Sequence, residues 1–176
     1  MDLSKYIRNV PNWPKHGVQF KDITTLCKEA IPFRETCERI ANQYKEKKII
    51  KVAAIEARGY VFGGVVAYLL GVGFVLIRKI GKLPYTTIDE SYELEYGSDS
   101  IHMHIDAISS GDKVLILDDL LATGGTAAAA CRLVEKAGGI VEGLIFVIEL
   151  TGSLHGRDNL KGYDIHSLIK MPVEDE

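Results

Sequence analysis

Residues 114–126 read VLILDDLLATGGT, and this run restricts the fold of the chain more than any other. Val114, Leu115, Ile116 and Leu117 are an unbroken apolar stretch after the polar Ser110-Gly111-Asp112-Lys113. A strand with apolar side chains at successive positions is covered on both faces, which is the condition of a parallel sheet between two layers of helix. The next residues, AAAACRLVEKAGG, are rich in alanine and close on Gly138-Gly139, so they favour a helix with a glycine stop. The run therefore joins a buried strand to a helix.

At that junction Thr123, Gly124, Gly125 and Thr126 occupy a helix N-terminus, where unpaired N–H groups and the helix dipole attract an anion. Glycine lets a ligand approach the backbone closely, and the two threonine hydroxyls add donors. Asp118 and Asp119, just upstream, are placed to accept hydrogen bonds from vicinal hydroxyls. A ribose 5-phosphate carries both kinds of group. No lysine follows the glycines and acids precede them, which separates the run from the nucleoside triphosphate loop G-x-x-x-x-G-K-[ST].

Bulk properties exclude several classes. A chain of 176 residues with 47% apolar and 26% charged residues suits one soluble domain. Its net charge of -3 gives no general attraction to nucleic acid. The longest mostly apolar stretch, residues 65–77, is broken by glycines and falls short of the roughly 18 residues of a membrane helix. MDLSKYIRNV lacks a signal-peptide core, so a cytoplasmic location is expected. Cys27, Cys37 and Cys131 are odd in number and lack C-x-x-C spacing, which predicts reduced thiols.

Periodicity extends the strand–helix theme. Phe33, Cys37, Ile40, Ala41 and Tyr44 have helical spacing behind Pro32, which predicts a helix over 32–48. Strands follow over 49–55, 73–77, 114–117 and 140–150, with helices over 59–70 and 126–137. This alternation predicts an α/β fold, an open and mostly parallel sheet with crossover helices, whose ligands sit at the carboxyl ends of the strands. Residues 1–31 and 79–106 do not fit the alternation and read as additions to the core. In the second of these, Tyr92, Leu94 and Tyr96, then Ile101, Met103 and Ile105, alternate with polar residues, as in two strands of a hairpin. That pattern leaves His102 and His104 facing solvent.

Residues 114–126 closely resemble the phosphoribosyl pyrophosphate (PRPP) signature of type I phosphoribosyltransferases. Five further segments resemble motifs of that family or of its adenine-using branch. The resemblance implies a single domain over 1–176, with a base-covering hood at 1–31 and a flexible lid at 79–106. It assigns Asp118, Asp119, Ala122, Thr123, Gly124, Gly125 and Thr126 to the ribose and its 5-phosphate.

Ile55-Glu56-Ala57-Arg58-Gly59-Tyr60 lies where a strand meets a helix, so its amides and the Arg58 guanidinium can converge on an anion. It is similar to the family's pyrophosphate loop, which implies pyrophosphate contacts from Ala57 and Arg58 and a cis peptide at Ala57–Arg58. Arg78, Lys79 and Lys82 are a local basic cluster, and RKIGKLP resembles the family's RKxGKLP, which adds them to the pyrophosphate side. SYELEYG resembles SYxLEYG, which implies that Glu95 and Tyr96 close over the reacting centre and exclude water. PNWPKHGVQFKDI resembles the hood motif PDFPxPGVxFRDI, departing from it at His16, Gln19 and Lys21. The implied roles are stacking of Phe20 on the purine and reading of its edge by the backbone of Gln19 and Lys21. Residues 149–154 resemble a second base-proximal segment, with Leu154 a candidate contact.

The implied reaction is Mg²⁺-dependent transfer of the 5-phosphoribosyl group from PRPP to N9 of adenine, giving AMP and pyrophosphate. Arg58, Glu95 and Tyr96 would act at the reacting centre, with the magnesium held mainly by PRPP and no metal site of the protein's own. A homodimer with the Arg58 region near the partner is also implied. Two alternatives stand beside it: transfer to guanine, hypoxanthine or xanthine, and a PRPP-binding purine regulator without chemistry. The hood and GKLP motifs argue against the first. Residues 1–31 show neither a helix-turn-helix pattern nor a basic face, which argues against the second.

Overall fold

A computed structural model of the chain describes residues 1–93 and 97–173. After a 3-10 turn at Leu3–Tyr6 comes a hairpin of β1 (Arg8–Pro11) and β2 (Gln19–Asp22), then a helical turn α1 (Thr24–Cys27) and the helix α2 (Ala30–Tyr44). β3 (Lys51–Ile55), α3 (Arg58–Leu70) and β4 (Gly73–Lys79) form the first parallel crossover. A second hairpin, β5 (Thr87–Glu93) and β6 (Ser98–His104), precedes β7 (Lys113–Leu121), α4 (Gly125–Lys136) and β8 (Ile140–Gly152). A 3-10 segment, Gly156–Leu160, then leads to β9 (Ile165–Val173).

The main sheet runs in the order β5-β6-β4-β3-β7-β8-β9. Its β4-β3-β7-β8-β9 portion is parallel, while β6 pairs antiparallel with both β4 and β5. The apolar run in β7 shows why both faces are covered. Val114 and Ile116 point toward Ala130, Cys131 and Val134 of α4, whereas Leu115 and Leu117 point toward Ile40 of α2 and Phe62 and Val66 of α3. All four are fully buried, so truncating either leucine to alanine costs about 2–5 kcal/mol.

Both crossover helices begin at the carboxyl edge of the sheet without a side-chain cap. Gly124 is the N-cap of α4 in the left-handed region, with φ 81°, and Ala57 is the N-cap of α3. Neither has a side-chain oxygen for the first-turn N–H groups, and apart from the Tyr60 N–H, which meets the Ala57 carbonyl at 3.3 Å, these stay available to a ligand. α3 closes on Gly71 at φ 68°, whose N–H meets the Ala67 and Tyr68 carbonyls.

Several sequence expectations need correction. Residues 79–106 are no appendage: the β5–β6 hairpin extends the main sheet, and Ile101 and Met103 are in its core. The Pro-rich start holds a small hairpin, and Leu3, Ile23 and Leu26 pack into the α2/α3 side of the core. β9 was not predicted. α2 ends at Tyr44 instead of Lys48, and β7 runs on through both aspartates, because Asp118, Leu120 and Leu121 continue its register with β8. His102 and His104 are half-buried, held by Ser100 and Thr87 around the first and by the Tyr85 N–H near the second.

Candidate active site

A cavity of about 230 Å³ opens at the carboxyl edge of β3, β4 and β7. Ala57, Arg58, Arg78, Lys79, Asp118, Asp119 and Thr126 line it, together with Glu56 and Tyr92. A smaller hollow of about 90 Å³ adjoins it, sharing Asp118 and Thr126 and adding Ala122, Thr123 and Gly124. Gly125 opens α4 beside them. The fold thus brings together, from separate stretches of sequence, the residues expected at the pyrophosphate and at the sugar phosphate, Lys82 excepted.

The cis peptide falls at Glu56–Ala57, one residue before the expected Ala57–Arg58 bond. Arg58 is already the first residue of α3, so the peptide leading into it belongs to the helix start. From there Arg58 Nε stands 2.8 Å from Asp119 Oδ2, although that buried oxygen accepts no well-aligned hydrogen bond. The Arg58 Cζ also lies 4.9 Å from the centroid of the Phe20 ring, and Trp13 meets the same ring edge-on at 4.4 Å. Phe20 thereby stands next to Arg58, a lining residue, without lining the cavity itself.

Gln19 and Lys21 flank Phe20 on β2 and engage Asn9 instead: Asn9 Nδ2 donates to Gln19 Oε1 and Lys21 Nζ to Asn9 Oδ1, both at 2.8 Å. Strand alternation explains the division, since neighbouring side chains leave opposite faces.

Each cation in the cavity is matched by an acid. Arg58 has Asp119, Arg78 Nε has Glu56 Oε2 at 2.6 Å, and Lys79 Nζ has Asp99 Oδ2 at 2.7 Å. A pyrophosphate entering here competes with these carboxylates. Lys82 stands apart, with an exposed side chain and a carbonyl that accepts Arg78 Nη1 at 3.0 Å.

Burial raises the Asp118 carboxyl well above the ordinary range, and the adjacent Asp119 charge adds to it. Asp119 is raised by burial too, with Arg58 opposing the shift. Asp118 Oδ1 accepts the Asp119 N–H at 2.9 Å, which fixes the orientation of the first carboxyl. Two adjacent, desolvated carboxylates of this kind are held ready for hydroxyl or cationic partners.

Glu95 and Tyr96 lie outside the described residues. Sequence reasoning missed Glu56, Tyr92, Asp99 and Asn9. Of these Glu56 carried a local signal, as the neighbour of Arg58 in the strand-to-helix turn, and Tyr92 stands in the SYELEYG motif without a role of its own there.

The phosphoribosyl transferase domain model matches residues 28–164. The chain belongs to the phosphoribosyltransferase family. This phosphoribosyltransferase is 53% identical to the adenine phosphoribosyltransferase of Clostridium beijerinckii over 173 residues, 98% of this chain and 100% of that one. It superposes on the crystal structure of adenine phosphoribosyltransferase from Thermoanaerobacter pseudethanolicus with a TM-score of 0.93 at 52% identity, covering 97% of this chain and 98% of the other. The Saccharomyces cerevisiae enzyme, solved with an imino-altritol bisphosphate and adenine, gives a TM-score of 0.90 at 36% identity, with 95% and 96% covered.

Proposed function

We infer that this phosphoribosyltransferase catalyses purine salvage, transferring the 5-phosphoribosyl group of PRPP to adenine with release of AMP and pyrophosphate. The observation that carries the reading is the pair of uncapped helix N-termini, α3 and α4, which flank the two aspartates at one cavity. Identity with adenine phosphoribosyltransferases over nearly the full chain supports adenine as the base.

In the proposed mechanism the first turn of α4, with Ala122, Thr123, Gly124, Gly125 and Thr126, holds the 5-phosphate. Asp118 and Asp119 accept hydrogen bonds from the ribose hydroxyls and keep the anomeric carbon facing the base. Ala57, Arg58, Arg78, Lys79 and Lys82 receive the leaving pyrophosphate, whose negative charge grows as the bond to carbon breaks. Phe20 stacks on adenine, the backbone of Gln19 and Lys21 reads its edge, and N9 attacks from the face opposite the pyrophosphate. Glu95 and Tyr96 are proposed to close over the reacting centre from the segment that joins β5 to β6, opposite the hood at 1–31 within one domain.

Magnesium fits this site as a companion of the substrate. Among the described residues no cluster of three or more His, Cys, Asp or Glu could hold a metal. The buried Asp119 Oδ2, without an aligned hydrogen bond, supplies oxygen chemistry suited to a hard cation or to its bound water. Bound through PRPP oxygens, Mg²⁺ would neutralise charge on the departing pyrophosphate.

A homodimer is proposed on the apolar face of α3 and β4. Val61, Tyr68, Leu69, Phe74 and Leu76 are exposed there, with Tyr68 at 84%. The free thiols of Cys27, Cys37 and Cys131 support a cytoplasmic setting, and no helix among the described residues is long and apolar enough to cross a membrane.

The deciding experiment measures pyrophosphate release from PRPP and Mg²⁺ with adenine, guanine, hypoxanthine or xanthine as acceptor. Turnover with adenine alone is expected. Preference for an oxopurine would overturn the base assignment, and tight PRPP binding without turnover on any base would point to a regulator.

A further inference from the structure

Tyr92 is the one cavity-lining residue contributed by β5, the edge strand of the sheet. Its ring is half-buried against the α4 side of the core, beside Gly125, and the Thr126 side chain approaches its hydroxyl. On the other side that hydroxyl donates to Asp99 Oδ2 at 3.2 Å, from the residue directly opposite on β6. The same Oδ2 receives Lys79 Nζ at 2.7 Å, while Asp99 Oδ1 accepts the Ser100 N–H at 2.8 Å. A continuous set of contacts therefore runs Thr126, Tyr92, Asp99, Lys79 across the cavity. Its ends are the two anion sites of the proposed reaction.

We propose that Tyr92 is a positioning residue that couples occupancy of the pyrophosphate site to occupancy of the sugar-phosphate site. The inference rests on the functional reading above. A phenol has one proton to donate, and here Asp99 takes it in competition with Lys79. When pyrophosphate draws Lys79 away, Asp99 keeps the Ser100 N–H and depends on Tyr92 for its other oxygen. The Tyr92–Asp99 bond is then the side-chain contact left on that oxygen, and it fixes the ring against Gly125 and Thr126, where α4 receives the 5-phosphate. Binding at the Lys79 end thus orders the loop at the other end, and by thermodynamic linkage the reverse holds to the same extent.

The outer face of β5 is fixed independently of this path. Arg132 Nε donates to Glu90 Oε2 at 3.1 Å and Arg132 Nη2 to the Ser91 carbonyl at 3.0 Å. Lys136 Nζ donates to the Asp89 carbonyl at 2.9 Å. These bonds tie β5 to the helix whose N-terminus meets the phosphate, so loss of one phenolic oxygen leaves the strand anchored. Tyr92→Phe is for that reason a clean probe.

The test is titration calorimetry of magnesium pyrophosphate into the full-length protein, with and without saturating AMP. The wild type is expected to bind pyrophosphate at least about fivefold more tightly when AMP is present, the lower end of common coupling factors. Tyr92→Phe is expected to bind each ligand alone but to bring that ratio to about one. Asp99→Asn, which frees Lys79 in advance, is expected to tighten pyrophosphate binding without AMP and to lower the ratio as well, a second route if Tyr92→Phe fails to fold. A ratio of one in the wild type, or wild-type coupling retained in a folded variant, would overturn the proposal while leaving the transferase reading intact. Failure of the wild type to bind either AMP or pyrophosphate would overturn both.

Discussion

Arg58 reaches back from the first turn of α3 to Asp119 at the end of β7, Nε to Oδ2 at 2.8 Å, and so bridges the proposed pyrophosphate and ribose halves of the cavity. The guanidinium also covers one face of Phe20. It therefore belongs to the proposed pyrophosphate region and touches a residue of each of the other two, the ribose and the base.

Arg58→Ala is expected to lower kcat/KM for PRPP by roughly a hundredfold, the scale of losing one preorganised charge at a transition state. Steady-state pyrophosphate release measures it. Turnover at the wild-type rate would remove Arg58 from the pyrophosphate site.

Asp118 gives a pH dependence of stability with an unusual sign. Its carboxyl is raised by burial and by the neighbouring Asp119, so the folded protein holds that proton more tightly than the unfolded chain. Stability of the ligand-free protein then falls as pH climbs from the ordinary aspartate range through the raised value, and levels off above it. Asp118→Asn removes the charge and is expected to flatten that fall. Its melting temperature at about pH 8 rises by about 2–4 °C for each kcal/mol recovered, while turnover drops. Thermal melts across pH decide the matter, and a lower melting temperature for the variant would contradict it.

The opposite sign holds at Glu149. Its two oxygens take Arg157 Nε at 2.6 Å and Nη2 at 2.8 Å, with Ser167 Oγ on the second, and chiefly Arg157 lowers its pKa to about 2. This stabilisation is present above the unfolded value and is lost as pH falls from the ordinary glutamate range toward about 2. Glu149→Gln is expected to flatten the acid limb of the stability curve. Arg157→Ala strands a carboxylate that is only 7% exposed and is expected to cost about 3 kcal/mol in urea unfolding.

Phe20→Leu keeps the side chain apolar but removes the flat face. The KM for adenine is expected to rise about tenfold, toward the lower end of the range for a base stacked on an aromatic ring, with the KM for PRPP nearly unchanged. Equal increases in both constants would mean that Phe20 supports the hood without touching the base.

Much of this architecture was legible because it is local. The run from Val114 to Thr126 announces a buried strand, a glycine turn and a helix start within thirteen residues, and each of these is present. What escaped depends on partners distant in sequence. β9, IHSLIKMPV, mixes polar residues with Pro172 and is a strand because its backbone pairs with β8 at the sheet edge. β1 and β2 are four residues each, too short to display a period. Tyr92 joins the cavity because β5 pairs with β6 and Arg132 and Lys136 hold it beside α4, an arrangement that no window of sequence encodes.

The phosphate loop has a neighbour that its own sequence does not announce. A methyl group on Gly124 would run into the Gly156 carbonyl, one on Gly156 would run into the Ala122 carbonyl, and Asn159 Nδ2 donates to the Thr123 carbonyl at 2.7 Å. The return segment after β8 is thus a backbone-to-backbone mould for the loop, with no slack for an added atom. Anyone grafting an insertion or a tag between β8 and β9, or reshaping residues 153–160 to change the accepted base, will be editing the grip on the sugar phosphate as well.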